Sequence, residues 1–381
     1  MKRREFLKKA GIAGLGLAAA NTLALSCLRN DNELSKLKNW VWITPESGLS
    51  DDEWKRRFTK LKEYGFQGAI IQVYSSHKAW YETPYLPVQE VLLERLIDAG
   101  IETGLEVHAW IWTMINNNPF YIQNHPEFYA LNGLGQPAHT HPAYVGYYRF
   151  MCPNQPGVQD FIEQNVRILS QKTGLHGIHF DYVRMPDVII AEALQPVYDV
   201  IQDREYPEFD YCYCELCRQK FRDKSGIDPL KDLADPSANK QWRQFRYDSV
   251  TNLVNGRLIP AAKNTGMQAT AAVFPNWESV RQEWSKWDMD AFFPMLYHNF
   301  YNADLDWIAA NIRKQLQAMK SPKPIYSGLF LPALTAENLP EAIEISVEAG
   351  ASGVSLFAFN NISDSYWNIL KQAFASASDQ K

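Results

Sequence analysis

One ten-residue run, Gly177-Ile-His179-Phe-Asp181-Tyr182-Val-Arg184-Met-Pro186, brings an imidazole, a carboxylate, a phenol and a guanidinium together in a 381-residue chain. Read with a period of two, Gly177, His179 and Asp181 fall on one face of a short strand, and Ile178 and Phe180 on the other. Pro186 cannot donate to a ladder and ends the element. A second run, Glu106-Val-His108-Ala-Trp110-Ile-Trp112, alternates in the same way, with Glu106, His108, Trp110 and Trp112 on one face. Unpaired buried charge is costly, so Glu106 and His108 need partners, and His179 and Asp181 are the natural ones. Four converging ionisable groups shift one another's pKa and suit acid–base or nucleophilic chemistry. The competing reading of Asp181 is structural, a buried carboxylate held by Arg184 or by a backbone N–H.

Elements must place these groups. Residues 68–73 are apolar throughout, as expected for a parallel strand buried on both faces. Strands are also expected at 39–44, 101–112, 268–274, 291–297, 324–330 and 353–359, with the Asp181 run as the fourth of eight. Helices are expected between them. Ser50 with Glu53 caps one that Gly65 ends, a second spans 88–99 and is closed by Gly100, and a third spans 242–265. Alternation of this kind predicts α/β architecture, a (β/α)8 TIM barrel in one domain over 38–378. Long insertions follow strand 3 (114–152) and strand 4 (187–240). The strand ends add Trp277 and Glu278 after strand five, Tyr297 and His298 after strand six, and Asn360 after strand eight. The C-terminal ends of barrel strands are where such folds carry chemistry.

The sequence resembles a known family. Residues 177–186 are similar to the signature DGIHFDYIRYP of the glycosyl-hydrolase-10-like family, bacterial exported proteins that include lipoprotein peptidoglycan glycosidases. The chain departs from it at His176, where the signature has Asp, and at Met185, where it has an aromatic. Further similarities lie in Pro153-Asn-Gln-Pro156-Gly-Val158-Gln-Asp160-Phe161-Ile162, Glu106-Val-His108-Ala-Trp110 and Ala272-Val-Phe-Pro275. Gln282-Glu-Trp284-Ser-Lys-Trp287 and Phe293-Pro-Met295-Leu-Tyr297-His298 continue the series, which runs in family order over about residues 38–375. The resemblance implies a glycoside hydrolase acting on a cell-wall or other exported polysaccharide. Such enzymes need two carboxyl groups, one to protonate the leaving oxygen and one to act as nucleophile or base. By analogy with amylase-like barrels, Asp181 is expected as nucleophile or electrostatic stabiliser and Glu278 as general acid, with Glu106 and Glu283 as competitors. Glu106, His108, Trp110, His179, Tyr182, Arg184, Trp277, Tyr297, His298 and Asn360 are the expected substrate contacts. The alternative is a non-catalytic glycan-binding lipoprotein with the same aromatic mouth and no competent acid.

Composition narrows the remaining classes. Hydrophobic residues at 46% and charged residues at 21% are ordinary for a globular chain with a large core. Aromatics reach 13%, with 12 Trp, enough for both a large core and sugar-stacking platforms. The net charge of −5 and the lack of a basic run argue against nucleic acid as a partner. Arg3-Arg4-Glu5-Phe6-Leu7-Lys8 followed by an apolar run from Gly11 to Ser26 matches a twin-arginine export signal over 1–26. Leu23-Ala-Leu-Ser26-Cys27 resembles a lipobox, so Cys27 is expected to carry a lipid, with 27–37 as a tether. A membrane is therefore expected as a partner only through that anchor, and the location as the cell envelope. Cys152, Cys212, Cys214 and Cys217 leave three readings open: a small zinc site, disulfides, or free structural thiols. The histidines near the mouth show no ligand spacing with a clear partner set. No phosphate loop and no serine elbow occur, and no cofactor is expected.

Overall fold

The computed structural model describes residues 37–379. The expected export signal, Cys27 and all but the last residue of the tether lie outside them. Eight parallel strands form the sheet: β1 (Trp40–Ile43), β2 (Gly68–Tyr74), β3 (Glu106–Trp112), β4 (Gly177–Asp181), β5 (Gln268–Val273), β6 (Ala291–Pro294), β7 (Ser327–Phe330) and β8 (Val354–Phe357). Their order is β6-β5-β4-β3-β2-β1-β8-β7. The two ends of that order meet through parallel bridges Phe292–Ile325 and Met295–Gly328, and the Leu296 N–H donates to Gly328 O at 3.0 Å. A Cβ on Gly328 would lie 2.5 Å from Pro294 O, so closure of the barrel needs a glycine there. The fold is the (β/α)8 barrel expected.

The outer layer comprises α1 (Asp51–Glu63), α2 (Leu93–Thr103), α3 (Pro156–Ser170), α4 (Lys240–Leu253, continuing through a π-turn at Val254–Leu258 to Ile259–Lys263), α5 (Asp306–Ala318), α6 (Leu339–Glu348) and α7 (Asp364–Asp379). The capping expected at Ser50 is present, its hydroxyl accepting from the Glu53 N–H. Two expectations are corrected. First, α2 starts at Leu93 rather than at 88 and does not stop at Gly100 but runs on to Thr103, where Gly104 at φ 71° ends it, so β3 begins at Glu106 rather than at 101. Gly100 is inside the helix because it packs on β3, where a Cβ would come within 2.5 Å of Val107 Cγ2. Second, no α-helix joins β5 to β6. Two 3₁₀ turns, Trp277–Val280 and Trp284–Lys286, replace it. Among the described residues no helix is long and apolar enough to cross a membrane.

Two cores result. One fills the layer between sheet and helices, with Val41, Ile71, Val107 and Ile178 on the strands and Trp54, Phe58 and Leu96 on the helices. The other fills the barrel lumen with Trp40, Trp42, Ile70, Trp110, Phe293 and Tyr326. Barrel lumens are usually built from branched aliphatics. Here edge-to-face rings do that work: Trp42 on Trp110 at 4.8 Å, Trp42 on the His179 ring at 4.6 Å and Trp40 on the His108 ring at 4.7 Å. Each such aromatic pair is worth about 0.5–1.5 kcal/mol beyond its area. The lumen is therefore packed shut, and only the strand ends can meet a ligand.

Candidate active site at the C-terminal mouth

β4 positions the central group. Gly177 starts it because a Cβ there would lie 2.8 Å from the His108 ring and 2.9 Å from Gln268 O. Register then sets His179 beside Trp110 and Asp181 beside Trp112. Asp181 is the last residue of the strand and is only 7% exposed. Its two oxygens are held by donors: Trp110 Nε1–H donates to Oδ2 at 3.1 Å, and the Tyr182 backbone N–H donates to Oδ1 at 2.7 Å. Burial pushes its carboxyl up to about 6, against the pull of the Tyr182 N–H, Arg184 and Trp110. Tyr182 follows with φ 51°, a left-handed conformation that costs a non-glycine residue about 1–2 kcal/mol. Strain of this size persists where surrounding contacts enforce it. Here the ring of Tyr182 packs on Trp112 at 4.6 Å.

Above Asp181 a cleft of about 420 Å³ opens at the mouth. Its floor is Trp110, Asp181, Gln72 and Thr44 from the barrel, and Tyr297 and Phe357 form one wall. Tyr297 is buried, and burial followed by the nearby Asp181 charge pushes its phenol far above the usual range. The other wall comes from the two insertions. Tyr144, Tyr147 and Tyr148 descend from the one after β3, and Asp187, Ile190 and Tyr198 from the one after β4. Arg184 joins the two insertions. Its Nη1 donates to Met185 O and to Asp187 Oδ2, both at 2.9 Å, and its Nη2 donates to the Tyr148 hydroxyl at 3.1 Å. The guanidinium also lies 4.5 Å from the Phe274 ring. Among the residues lining the cleft the carboxylates are Asp181 and Asp187.

The expected site residues divide into three groups. Asp181, Trp110, Tyr182, Arg184 and Tyr297 line the cleft together. His108 and His179 do not reach it. They sit lower in the lumen, and both Nδ1 atoms meet the Thr270 hydroxyl, at 3.2 and 2.9 Å. One hydroxyl can donate to only one of them, so the two rings carry opposite tautomers. Burial keeps both neutral, with His108 pushed down to about 3 and His179 well below its usual value. Glu106 is at the opposite end of the barrel, 2.6 Å from Lys38 Nζ. The expected convergence of Glu106, His108, His179 and Asp181 is thus three separate layers, because the strands advance along the barrel axis.

The third group faces away from the cleft. Glu278 is exposed on the 3₁₀ turn after β5 and does not line the cleft. That turn is anchored with its other side inward. The Met185 N–H donates to Val280 O at 2.9 Å, the Val188 N–H donates to Ser279 O at 2.8 Å, and the buried Arg281 pairs with the half-buried Glu205 and the buried Asp210. Trp277 packs on Tyr247 instead, with ring centroids 5.1 Å apart. Glu283 accepts from Gln244 Nε2 at 2.9 Å and pairs with Lys286, also off the cleft. His298 is half-buried just beyond Tyr297 without lining the cavity, and Asn360 is exposed in a surface groove shared with Arg56 and Lys60 of α1. Asp187 is the group that the sequence reading missed. The signal was present, a carboxylate three residues after Arg184 in Arg184-Met-Pro-Asp187.

The fold and the position of its cleft define the class, a (β/α)8 barrel with a buried strand-end carboxylate. No family model matches the sequence, and no curated protein matches it. Solved structures do. A β-galactosidase from the Antarctic haloarchaeon Halorubrum lacusprofundi is similar at 11% identity and a TM-score of 0.62, over 90% of this chain and 58% of its own. The catalytic domain of β-amylase from Paenibacillus polymyxa gives 13% identity and a TM-score of 0.62, over 90% of this chain and 99% of that domain. A β-galactosidase from the psychrophilic Marinomonas ef1 gives 12% and 0.64, over 89% of this chain and 59% of that enzyme. This chain therefore spans little more than half the length of the galactosidases. At these identities the likeness is one of fold.

Proposed function

We propose that this protein is a glycoside hydrolase whose catalytic carboxyl is Asp181, acting on a polysaccharide of the cell wall or another exported glycan. The observation that carries the reading is the environment of Asp181, a buried carboxylate at the end of β4 facing a cleft walled by Tyr and Trp rings. Flat aromatic faces suit the apolar faces of sugar rings. Both groups that touch its oxygens are donors, so the protein solvates the carboxylate form. That form can attack an anomeric carbon or stabilise an oxocarbenium-like transition state. The neighbours of similar fold are named as galactosidases and an amylase, which agrees with a carbohydrate substrate. The motifs shared with the glycosyl-hydrolase-10-like family support peptidoglycan glycan strands as the first substrate to test.

Asp187 replaces Glu278 as the second carboxyl in this proposal. One observation favours the binding-only reading instead: Arg184 Nη1 donates to Asp187 Oδ2 at 2.9 Å, so the other carboxylate lining the cleft is already engaged by a buried guanidinium. Reducing-end release from denuded peptidoglycan strands and a polysaccharide panel separates the two. Turnover that depends on Asp181 supports hydrolysis. Tight binding with no release from any bound glycan supports the binding module. The export reading remains part of the proposal and rests on Arg3, Arg4 and Cys27. Cys27→Ala should move the protein from the membrane fraction to the soluble one, and unchanged fractionation would rule out the lipid anchor.

A further inference from the structure

Away from the cleft, four cysteines distant in sequence meet in one place. Cys152 closes the insertion after β3, and Cys212, Cys214 and Cys217 belong to the insertion after β4. All four are buried, and their sulfurs all lie within 4.8 Å of one another. Cys152 Sγ is 3.4 Å from Cys217 Sγ and 3.7 Å from Cys214 Sγ. We propose that these four thiolates form a closed tetrahedral zinc site that ties the two insertions together behind the cleft wall.

Geometry favours this over two disulfides. Zinc bound to four sulfurs at 2.3 Å sets them about 3.8 Å apart along every edge of a tetrahedron. A disulfide would instead draw two sulfurs to about 2.05 Å and separate the set into pairs. Here Cys152 is nearly equidistant from two partners. Donors reach two of the sulfurs. The Leu131 N–H points at Cys212 Sγ at 3.4 Å, and Asn154 Nδ2 points at Cys217 Sγ at 3.3 Å. Cys214 is the N-cap of the helix Glu215–Ser225 and Cys217 lies in its first turn. The positive end of that helix lies at the cluster and offsets part of its negative charge. Donors to the sulfurs of this kind orient and tune metal ligands. On binding, zinc displaces the thiol protons to solvent, and no oxidant or reductant is needed. No position is left open for water or substrate, so the role is structural.

The consequence for the cleft is positional. Tyr144, Tyr147 and Tyr148 come from the insertion that Cys152 ends, and Asp187 comes from the insertion that carries the other three cysteines. A metal clamp between them holds the tyrosines of one insertion against the Asp187 segment of the other. The test uses the full chain purified without chelator. Metal analysis is expected to give about one zinc per chain, and thiol titration after denaturation in chelator should return Cys152, Cys212, Cys214 and Cys217 in reduced form. Cobalt in place of zinc should give the intense charge-transfer bands of a tetrathiolate. Cys217→His, which keeps a zinc ligand, should retain the metal, whereas Cys217→Ser should lose most of it. If Cys217→Ser fails to fold, the wild-type metal and thiol counts decide alone. Disulfides at these positions by mass spectrometry, iron in place of zinc, or reduced thiols that take up no zinc would each overturn the proposal.

Discussion

Two carboxylates on neighbouring strands, Glu106 and Asp181, both belong to the inner face of the barrel and meet opposite fates. Glu106 opens β3 at the N-terminal end, where Lys38 pairs with it at 2.6 Å and both side chains keep contact with water. Asp181 ends β4 at the other mouth, buried, with no cation bonded to it among the described residues and with an open cleft above. Residue type and facing are the same, so the direction of the strand makes the difference. Parallel strands all deliver their last residues to one end, and the loops that follow are free to build a cleft there. At the first residue of a strand only a short connection arrives, and a charge is most cheaply satisfied by a local ion pair.

The sharpest way to break the comparison is to neutralise Asp181. Asp181→Asn should lower kcat on any glycan substrate by at least about 10²–10³-fold, the scale of losing a preorganised group at the developing charge. Glycan binding should survive, since the aromatic walls are untouched. Wild-type turnover in that variant would remove Asp181 from the mechanism.

A smaller effect comes from the cost of burying the charge. The folded-state carboxyl of Asp181 titrates at about 6, above the 3.8 of an exposed aspartate. The native state therefore holds the proton that the unfolded state has released between these values, and stability falls as pH rises through that window. Two pKa units correspond to about 3 kcal/mol as an upper bound. Denaturant melts of wild type and Asp181→Asn at pH 4 and pH 7 should show the wild type losing up to that much relative to the variant at the higher pH. A difference independent of pH would mean that water or another group already solvates the carboxylate. The same titration predicts an acid limb in kcat/KM near pH 6, because the ionised form is the reactive one.

Glu106→Gln tests the other end. An ion pair whose side chains are 34% and 24% exposed is worth about 0.2–1 kcal/mol. A melt should show a loss of that order, and kcat/KM should not change. A tenfold loss of activity at constant stability would mean that the two ends of the barrel are coupled through the aromatic lumen.

The contrast also explains what was legible in the sequence. The alternation Gly177-His179-Asp181 and the apolar run of β2 depend on spacing along one strand, and the structure has both where the pattern places them. Gly100 was misread as a helix end because the sequence does not show that Val107 would occupy the place of its Cβ. His108 and Glu106 share a face with Trp110, but a shared face does not give height along the barrel. The register His108 to Gly177 sets that height, and it exists only once the strands pair. Asp187 was hidden because its position in the wall depends on Arg184 and the tyrosines of the other insertion. Long-range contacts of this kind leave no local period to read.

Glu278 gives the smallest expected effect and the finest test of the rule that strand ends carry the chemistry. It follows β5 by a few residues, so proximity in sequence to a C-terminal strand end recommends it as an acid. The turn that carries it is locked by the Met185 and Val188 N–H groups and by the burial of Arg281, and this leaves Glu278 in solvent. Glu278→Gln should therefore leave kcat/KM unchanged and stability within about 0.5 kcal/mol, the usual range for an exposed surface substitution. Substrates with activated leaving groups distinguish the alternatives. If Glu278 were the acid, the variant would be slow on natural glycosides and recover on aryl glycosides that need no protonation. That pattern would require the 277–280 turn to release Arg281 from Glu205 and Asp210 during catalysis. Such a release would break a network in which Arg281 Nη2 lies 2.5 Å from Glu205 and 3.0 Å from Asp210. Breaking one side of a buried ion pair costs about 3–5 kcal/mol, too much for a step repeated in each turnover without compensating contacts from the substrate.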